Sequence, residues 1–399
     1  MTLLEIYIVI NKLRYIDRRY SICSLKNIIA KLYYYTQIII GWRLDMESEK
    51  EIKKYANQIK QILCCYLENN VYEEEISSEV WELLIYHKLD LVYYSVANKI
   101  PGQFLSQLMD KREKVKKLYE MYEIELQKII NIFSDRGIRY VMLKGWANTL
   151  YLYLNKYDRY FSDIDILIAR DNISDIEKIM EEENFIYGLS DGKMIISPKR
   201  SEIIYHHCFT HELYNMVKKI GLEFINIDYN YLFAWRCFGK EKINKVTIEE
   251  VYSHVVKKDG YIVFDENMQF VHLCCHFVNE AQFFLLDREN SAEDPKELRI
   301  FRLLDIILLL DRIDINSVNE IVDEFSCRDR IDYVMTIIQE VLGADYINRK
   351  IKWKIKKHDN NFYYLTDGRK EQWSISVFSR LFDLKKREEI LKKVSTKGE

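Results

Sequence analysis

Leu143-Lys144-Gly145-Trp146, followed by Arg159-Tyr160-Phe161-Ser162-Asp163-Ile164-Asp165-Ile166-Leu167-Ile168, is the stretch that decides how this chain is read. Asp163 and Asp165 stand at i and i+2 inside an apolar run. Strand side chains alternate, so both carboxylates take one face while Ile164, Ile166 and Ile168 take the other. The strand is expected over residues 161–169. A short strand over 139–143, a turn at Gly145 and a helix over 146–154 precede it. Two carboxylates on one strand face, after a glycine turn and a helix, form a trap for a cation. A Mg²⁺-dependent phosphoryl or nucleotidyl transfer site needs such a trap.

Outward from this stretch, apolar residues recur at helical spacing over 47–100, and Pro101-Gly102 breaks the pattern. A long helix is expected over 112–134, closed by Asp135-Arg136-Gly137. Asp171 or Asn172 can cap a helix that runs to about residue 183. Runs at 202–209, 212–217 and 222–229 read as β. The helical period returns at 248–257, 267–286, 295–310 and 318–325, and no repeat of solenoid length occurs. The expected fold is α+β: a small mixed-sheet core flanked by helical regions. The expected division is 1–45, 46–128 (helical), 129–240 (core) and 241–399 (mainly helical).

The chain has 399 residues, of which 48% are hydrophobic and 30% charged, which suits a globular protein and excludes a disordered one. A net charge of −3 exerts no broad pull toward nucleic acid or a membrane surface. Only 3 Pro and 12 Gly favour long helices. The 8 Cys form no Cys-x-x-Cys pair and read as reduced thiols of a cytoplasmic protein. No run reaches the roughly 18–20 apolar residues of a membrane span. Leu3–Ile10 contains Glu5 and lacks a preceding basic region, so it is no signal peptide. Residues 1–45 have two readings. Trp42-Arg43 can be encoded as a ribosome-binding sequence just before Met46, making the segment a translated leader; otherwise it is an N-terminal helical hairpin.

The order strand, Gly turn, helix, Asp-x-Asp strand resembles the DNA polymerase β-like nucleotidyltransferase superfamily, and within it a bacterial nucleotidyltransferase family. The motifs are Leu143-Lys144-Gly145, Arg159 and Ser162-Asp163-Ile164-Asp165-Ile166-Leu167, then Asp228-Tyr229-Asn230-Tyr231, His272-Leu273-Cys274-Cys275-His276 and Leu303-Leu304-Asp305-Ile306. Together they cover residues 129–310. The resemblance implies transfer of a nucleoside monophosphate from an NTP to a small-molecule or peptide acceptor, with pyrophosphate released. It implies two Mg²⁺ ions, or Mn²⁺, on Asp163, Asp165 and a third carboxylate. Asp228 fits that third position; Glu223 is its competitor, on the opposite face of the same strand. Lys144, Gly145, Arg159 and Ser162 would serve the nucleotide. The superfamily usually has a small hydroxyl residue or Gly where Trp146 stands, so Lys144 and Arg159 are left to supply phosphate contacts. Rival readings are protein nucleotidylylation and a degenerate nucleotide-binding scaffold. Intact Asp163 and Asp165 argue against the scaffold, Trp146 and Asn230 weakly for it.

Three features lie outside this scheme. His272 and His276 stand one helical turn apart, as a zinc pair or, with more weight, as core residues bonded between helices, with Asp305 as a partner. His206, His207 and His211 are expected on strands, with substrate contact open. The basic run 349–357, with Trp353 interleaved, reads as a solvated face ahead of an RNA contact.

Overall fold

The computed structural model describes residues 48–236, 243–283, 298–350, 355–356, 360–365 and 368–397. Residues 1–45 with their leader or hairpin readings, Cys23, Cys237, and most of the basic run with Trp353 lie outside the described residues. Residues 1–55 and 56–399 form separate compact units, and the second is described here.

Helix α1 (Ser78–Tyr86) starts where the Ser77 hydroxyl accepts the Val80 N–H. After α2 (Asp90–Val96), helix α3 runs from Gly102 to Asp135, ten residues ahead of the expected start, because Pro101 can precede a helix but not continue one. Tyr119, Tyr122, Leu126, Ile129, Ile130 and Phe133 of α3 recur at helical spacing and are buried in the sheet's core.

Seven strands make one mixed sheet: β1 (Tyr140–Met142), β2 (Ile164–Ile168), β3 (Ile186–Tyr187), β4 (Met216–Ile220), β5 (Glu223–Asn230), β6 (Val255–Lys258) and β7 (Tyr261–Phe264). Their order is β6-β7-β1-β2-β5-β4-β3. The pairs β1–β7 and β2–β5 are parallel, and the others antiparallel. Every residue of β1 and β2 is buried, which explains their near-unbroken apolar runs. Helix α4 (Lys144–Tyr151) joins β1 to β2, α5 (Ile173–Glu182) follows β2, and α6 (Arg200–Phe209) lies between β3 and β4. Beyond the sheet, α7 (Glu266–Gln282), α8 (Ile300–Ile307), α9 (Ile315–Glu324) and α10 (Arg328–Leu342) pack together, with α7 among the most buried. The α+β class and the flanking helices are as the sequence indicated.

Three local expectations were overturned. Of residues 212–217, expected as β, only Met216 and Val217 lie in a strand. Residues 202–209 are helical, not β: the Glu202 carboxylate accepts the Lys199 N–H at 2.6 Å, and this cap outweighs the β-like composition of Ile203, Ile204 and Tyr205. His206 and His207 therefore sit on a helix rather than a strand. Residues 248–257 hold one α-helical turn, Ile248–Val251, and one 3₁₀ turn, Tyr252–His254, before β6 begins. Asp259 and Gly260, with φ of 47° and 91°, turn β6 into β7. Positive φ at both central residues is the two-residue hairpin geometry that Asp-Gly favours, a signal the helical reading passed over.

Candidate active site

The Asp-x-Asp pair sits at the entry of β2: Asp163 just precedes the strand and Asp165 lies in it. Because β2 and β5 run parallel with Asp165 opposite Asp228, these two carboxylates emerge side by side on one sheet face. Alternation puts Asp163 on the same face. Glu223 opens β5 as an exposed residue opposite Ile220, five positions and one face away from Asp228.

Burial raises the Asp165 carboxyl pKa, Lys144 opposes the rise, and Asp163 adds to it. Asp228 is held well above its ordinary value by burial and then by Asp163, Asp165 and Glu212. Glu212 is the acidic residue that sequence reasoning missed. It lies in the loop after α6, and a β-bridge to Asn230 brings it to the end of β5. Nothing in its local sequence marks it, because only that non-local pairing places it beside the aspartates.

Leu143 donates its N–H to the Asp165 carbonyl at 2.9 Å, tying the entry of α4 to β2. Lys144 then takes a left-handed φ of 40° and sets its ammonium 2.8 Å from Asp165 Oδ1. Burial would lower the Lys144 pKa, but Asp165, Asp163 and Asp228 outweigh it and leave it raised. A Cβ on Gly145 would stand 3.0 Å from the Phe161 Cβ, so glycine is needed there for the close packing of α4 on the segment before β2. The Ser162 hydroxyl donates to Asp163 at 3.1 Å.

Trp146 does not face this site. It is fully buried, stacked 4.5 Å from Tyr119, with Phe161 and Tyr261 at its edges. It is a core residue and does not line the site's cavity. Arg159 reaches the site in a different manner from the simple phosphate ligand that its motif suggests. Its guanidinium is bound to Asp305 of α8, at 3.0 Å from Nε and 2.9 Å from Nη2. Tyr153 donates to the same carboxylate, and the Phe301 ring lies 4.4 Å from the guanidinium.

These parts wall a cavity of about 300 Å³, in which Lys144, Gly145, Arg159, Ser162, Asp163 and Asp165 all appear. His276 of α7 lines it as well. His272 does not: it is 2% exposed among Phe233 and Phe264, and burial first, then His276 and Lys144, keep its pKa well below the ordinary range. Asp305, offered as its partner, is taken by Arg159 and Tyr153. His207 pairs with Glu177 at 3.0 Å, away from the cavity.

Among the described residues no three His, Cys, Asp or Glu side chains are arranged to enclose a metal ion as they stand, and an ammonium holds Asp165 instead. The donors nonetheless suit a hard cation. They are all carboxylate oxygens, gathered so closely that burial and their own repulsion raise two of their pKa values.

The raised pKa of Asp228 has a consequence for stability. A group whose pKa rises on folding binds its proton more tightly in the native state. Its contribution is fully present below its ordinary value of 3.8 and is lost as pH rises through the folded value. At neutral pH, where the unfolded chain has already released this proton, Asp228 opposes the fold. Asp228→Asn is therefore expected to raise Tm at neutral pH by at least about 2 °C, with the gain vanishing at acid pH. Thermal unfolding across the pH range measures this, and a lower Tm at neutral pH would contradict it.

No helix among the described residues is long and apolar enough to cross a membrane. No curated protein and no solved structure matches the chain. A family described as "Uncharacterised nucleotidyltransferase" does match, over residues 74–343, a span that includes α1, the whole sheet, the aspartates and the helices that carry His276 and Asp305. That is well over half of the chain, which therefore belongs to this nucleotidyltransferase family.

Proposed function

We propose that the enzyme moves a nucleoside monophosphate from an NTP to a hydroxyl or phosphate of a small molecule or peptide in the cytoplasm, releasing pyrophosphate, on a site of the DNA polymerase β-like kind. The observation that carries this reading is the register of β2 on β5, which sets Asp228 beside Asp165 with Asp163 two residues away. Asp163, Asp165 and Asp228 would hold two Mg²⁺ ions. Bound there, Mg²⁺ would neutralise phosphate charge and sharpen the acceptor as a nucleophile. Lys144 is poised to exchange Asp165 for a phosphate oxygen, because both present the same charge to its ammonium. Gly145 keeps the start of α4 close to the metal strand, where the helix's unpaired N–H groups suit an anion. Arg159, fixed by Asp305, keeps a positive wall on the cavity.

One feature favours a polypeptide acceptor as a second reading. None of the residues of α6 is buried, and Phe209 at its end is 76% exposed, three positions before Glu212. An apolar face next to the acid cluster suits a peptide better than a small polar acceptor.

The test is incubation with each α-labelled NTP, Mg²⁺ and an extract of the source cell, with mass analysis of labelled products. The expected result is α-label on a small molecule or polypeptide together with pyrophosphate. Phosphate release without any α-label transfer would overturn the proposal.

A further inference from the structure

We propose that His276, oriented by Glu280, is the base that takes the proton from the acceptor hydroxyl, the task a third carboxylate would otherwise perform. This rests on the nucleotidyl-transfer reading above. The cavity that holds Asp163 and Asp165 is also walled by His276 and Glu280, whereas Asp228 is absent from its walls. The Asp228 carboxylate is instead engaged by the Asn215 amide. It can help hold a cation, but it does not line the space an acceptor would enter.

His276 has the surroundings of a general base. Its Nε2 lies 3.4 Å from Glu280 Oε1, one turn further along α7. Glu280 is itself paired with Arg302 of α8. A base aimed by a carboxylate that is held in turn is the arrangement general-base catalysis requires. With Nε2–H turned to Glu280, Nδ1 would be the atom that takes the proton. Helix α7 is buried along most of its length, so the imidazole stands on a rigid element. The His272 ring stacks on it, 6.2 Å away at 15°.

Charges of both signs share the cavity with His276: Lys144 from α4, Arg159 before β2, Arg299 and Arg302 from α8 and its approach, and Lys88 on one side, Asp163, Asp165, Asp305 and Glu280 on the other. In the reaction the acceptor O–H bond breaks and its proton passes to Nδ1. The oxygen forms its bond to the α-phosphorus, and the bond from that phosphorus to the bridging oxygen breaks, its electron pair leaving with pyrophosphate.

The test uses the full chain, Mg²⁺, the four α-labelled NTPs and source-cell extract as the acceptor pool, with initial rates followed from acid to alkaline pH. Wild-type rate should rise with pH along a single limb as the base loses its proton. His276→Gln, which can still bond Glu280, should lose roughly 10²–10³-fold in kcat with KM for the NTP within about threefold, and should lose that limb. His276→Ala should regain rate on adding imidazole, a rescue that a packing defect would not show. Unchanged Tm and NTP binding in both variants would confirm that they fold. A limb retained in His276→Gln but lost in Asp228→Asn would return the role to the carboxylate and overturn the assignment. So would His276→Ala without imidazole rescue. If wild type transfers no label from any NTP, the nucleotidyl-transfer reading itself falls; if wild type is active, Asp163→Asn is dead and both His276 variants are unimpaired, only the base assignment falls.

Discussion

Asp163→Asn and Asp165→Asn are each expected to lower nucleotidyl transfer by at least about a thousandfold while leaving the protein folded. Both side chains lie on the face of β2 that opens into the cavity, with Asp165 beside Asp228 across the parallel pair. Asparagine keeps the volume and one carbonyl oxygen but removes the negative charge that a hard cation requires. Metal assistance supplies several kcal/mol of transition-state stabilisation, and about 4 kcal/mol corresponds to three decades in rate. The fold should tolerate the change, because the amide is isosteric and relieves repulsion within the acid cluster. In Asp165→Asn the Lys144 ammonium loses its 2.8 Å partner, so Tm should move less favourably there than in Asp163→Asn. Label-transfer kinetics and thermal unfolding of both variants check this together. Either variant with near wild-type turnover in Mg²⁺ would sink the carboxylate-metal mechanism, whatever its Tm.

Asp305→Ala is expected to have the largest effect on stability. Arg159 is 8% exposed and Asp305 2% exposed. The pair carries three charge-assisted bonds of 3.0, 3.2 and 2.9 Å, plus the Tyr153 hydroxyl. Removing one partner of a buried ion pair leaves the other charge uncompensated and costs about 3–5 kcal/mol. Replacing both members by apolar residues of similar size is far less costly, because no charge is left behind. Asp305→Ala should therefore lower Tm strongly, and Arg159→Met/Asp305→Leu should recover most of the loss. Chemical denaturation of the two variants measures this. A single mutant within about 1 kcal/mol of wild type would show that solvent reaches the guanidinium and that the pair is not structural. The same pair governs how kinetics at Arg159 are read: loss of activity in Arg159→Ala counts as a phosphate effect only after the stability loss has been measured.

How much of the site was legible follows from the range of the interactions. Strand alternation is local, so Ile164-Asp165-Ile166 shows at once that Asp163 and Asp165 share a face. The choice between Asp228 and Glu223 turns on strand register, which the order of residues leaves open; in the structure Asp228 stands opposite Asp165 and Glu223 opposite Ile220. Residues 202–209 misled because their composition is β-like while one capping bond, from Lys199 to Glu202, favours helix. The Asp259-Gly260 hairpin was legible in principle, since both residues suit positive φ, yet the helical spacing around Ile248 masked it.

By itself the sequence determined the α+β class, the short apolar strands β1 and β2 and the acidic face of β2, because alternation and apolar periodicity act over a few residues; the turn expected at Gly145 falls instead on Lys144, which opens α4 with a left-handed φ. Only the tertiary structure decided that Trp146 is core, that Arg159 is bound to Asp305 across 146 positions, that Glu212 joins the aspartates, and that His276 rather than His272 lines the cavity. Burial and charge compensation are properties of which segments meet, and no local pattern encodes that meeting.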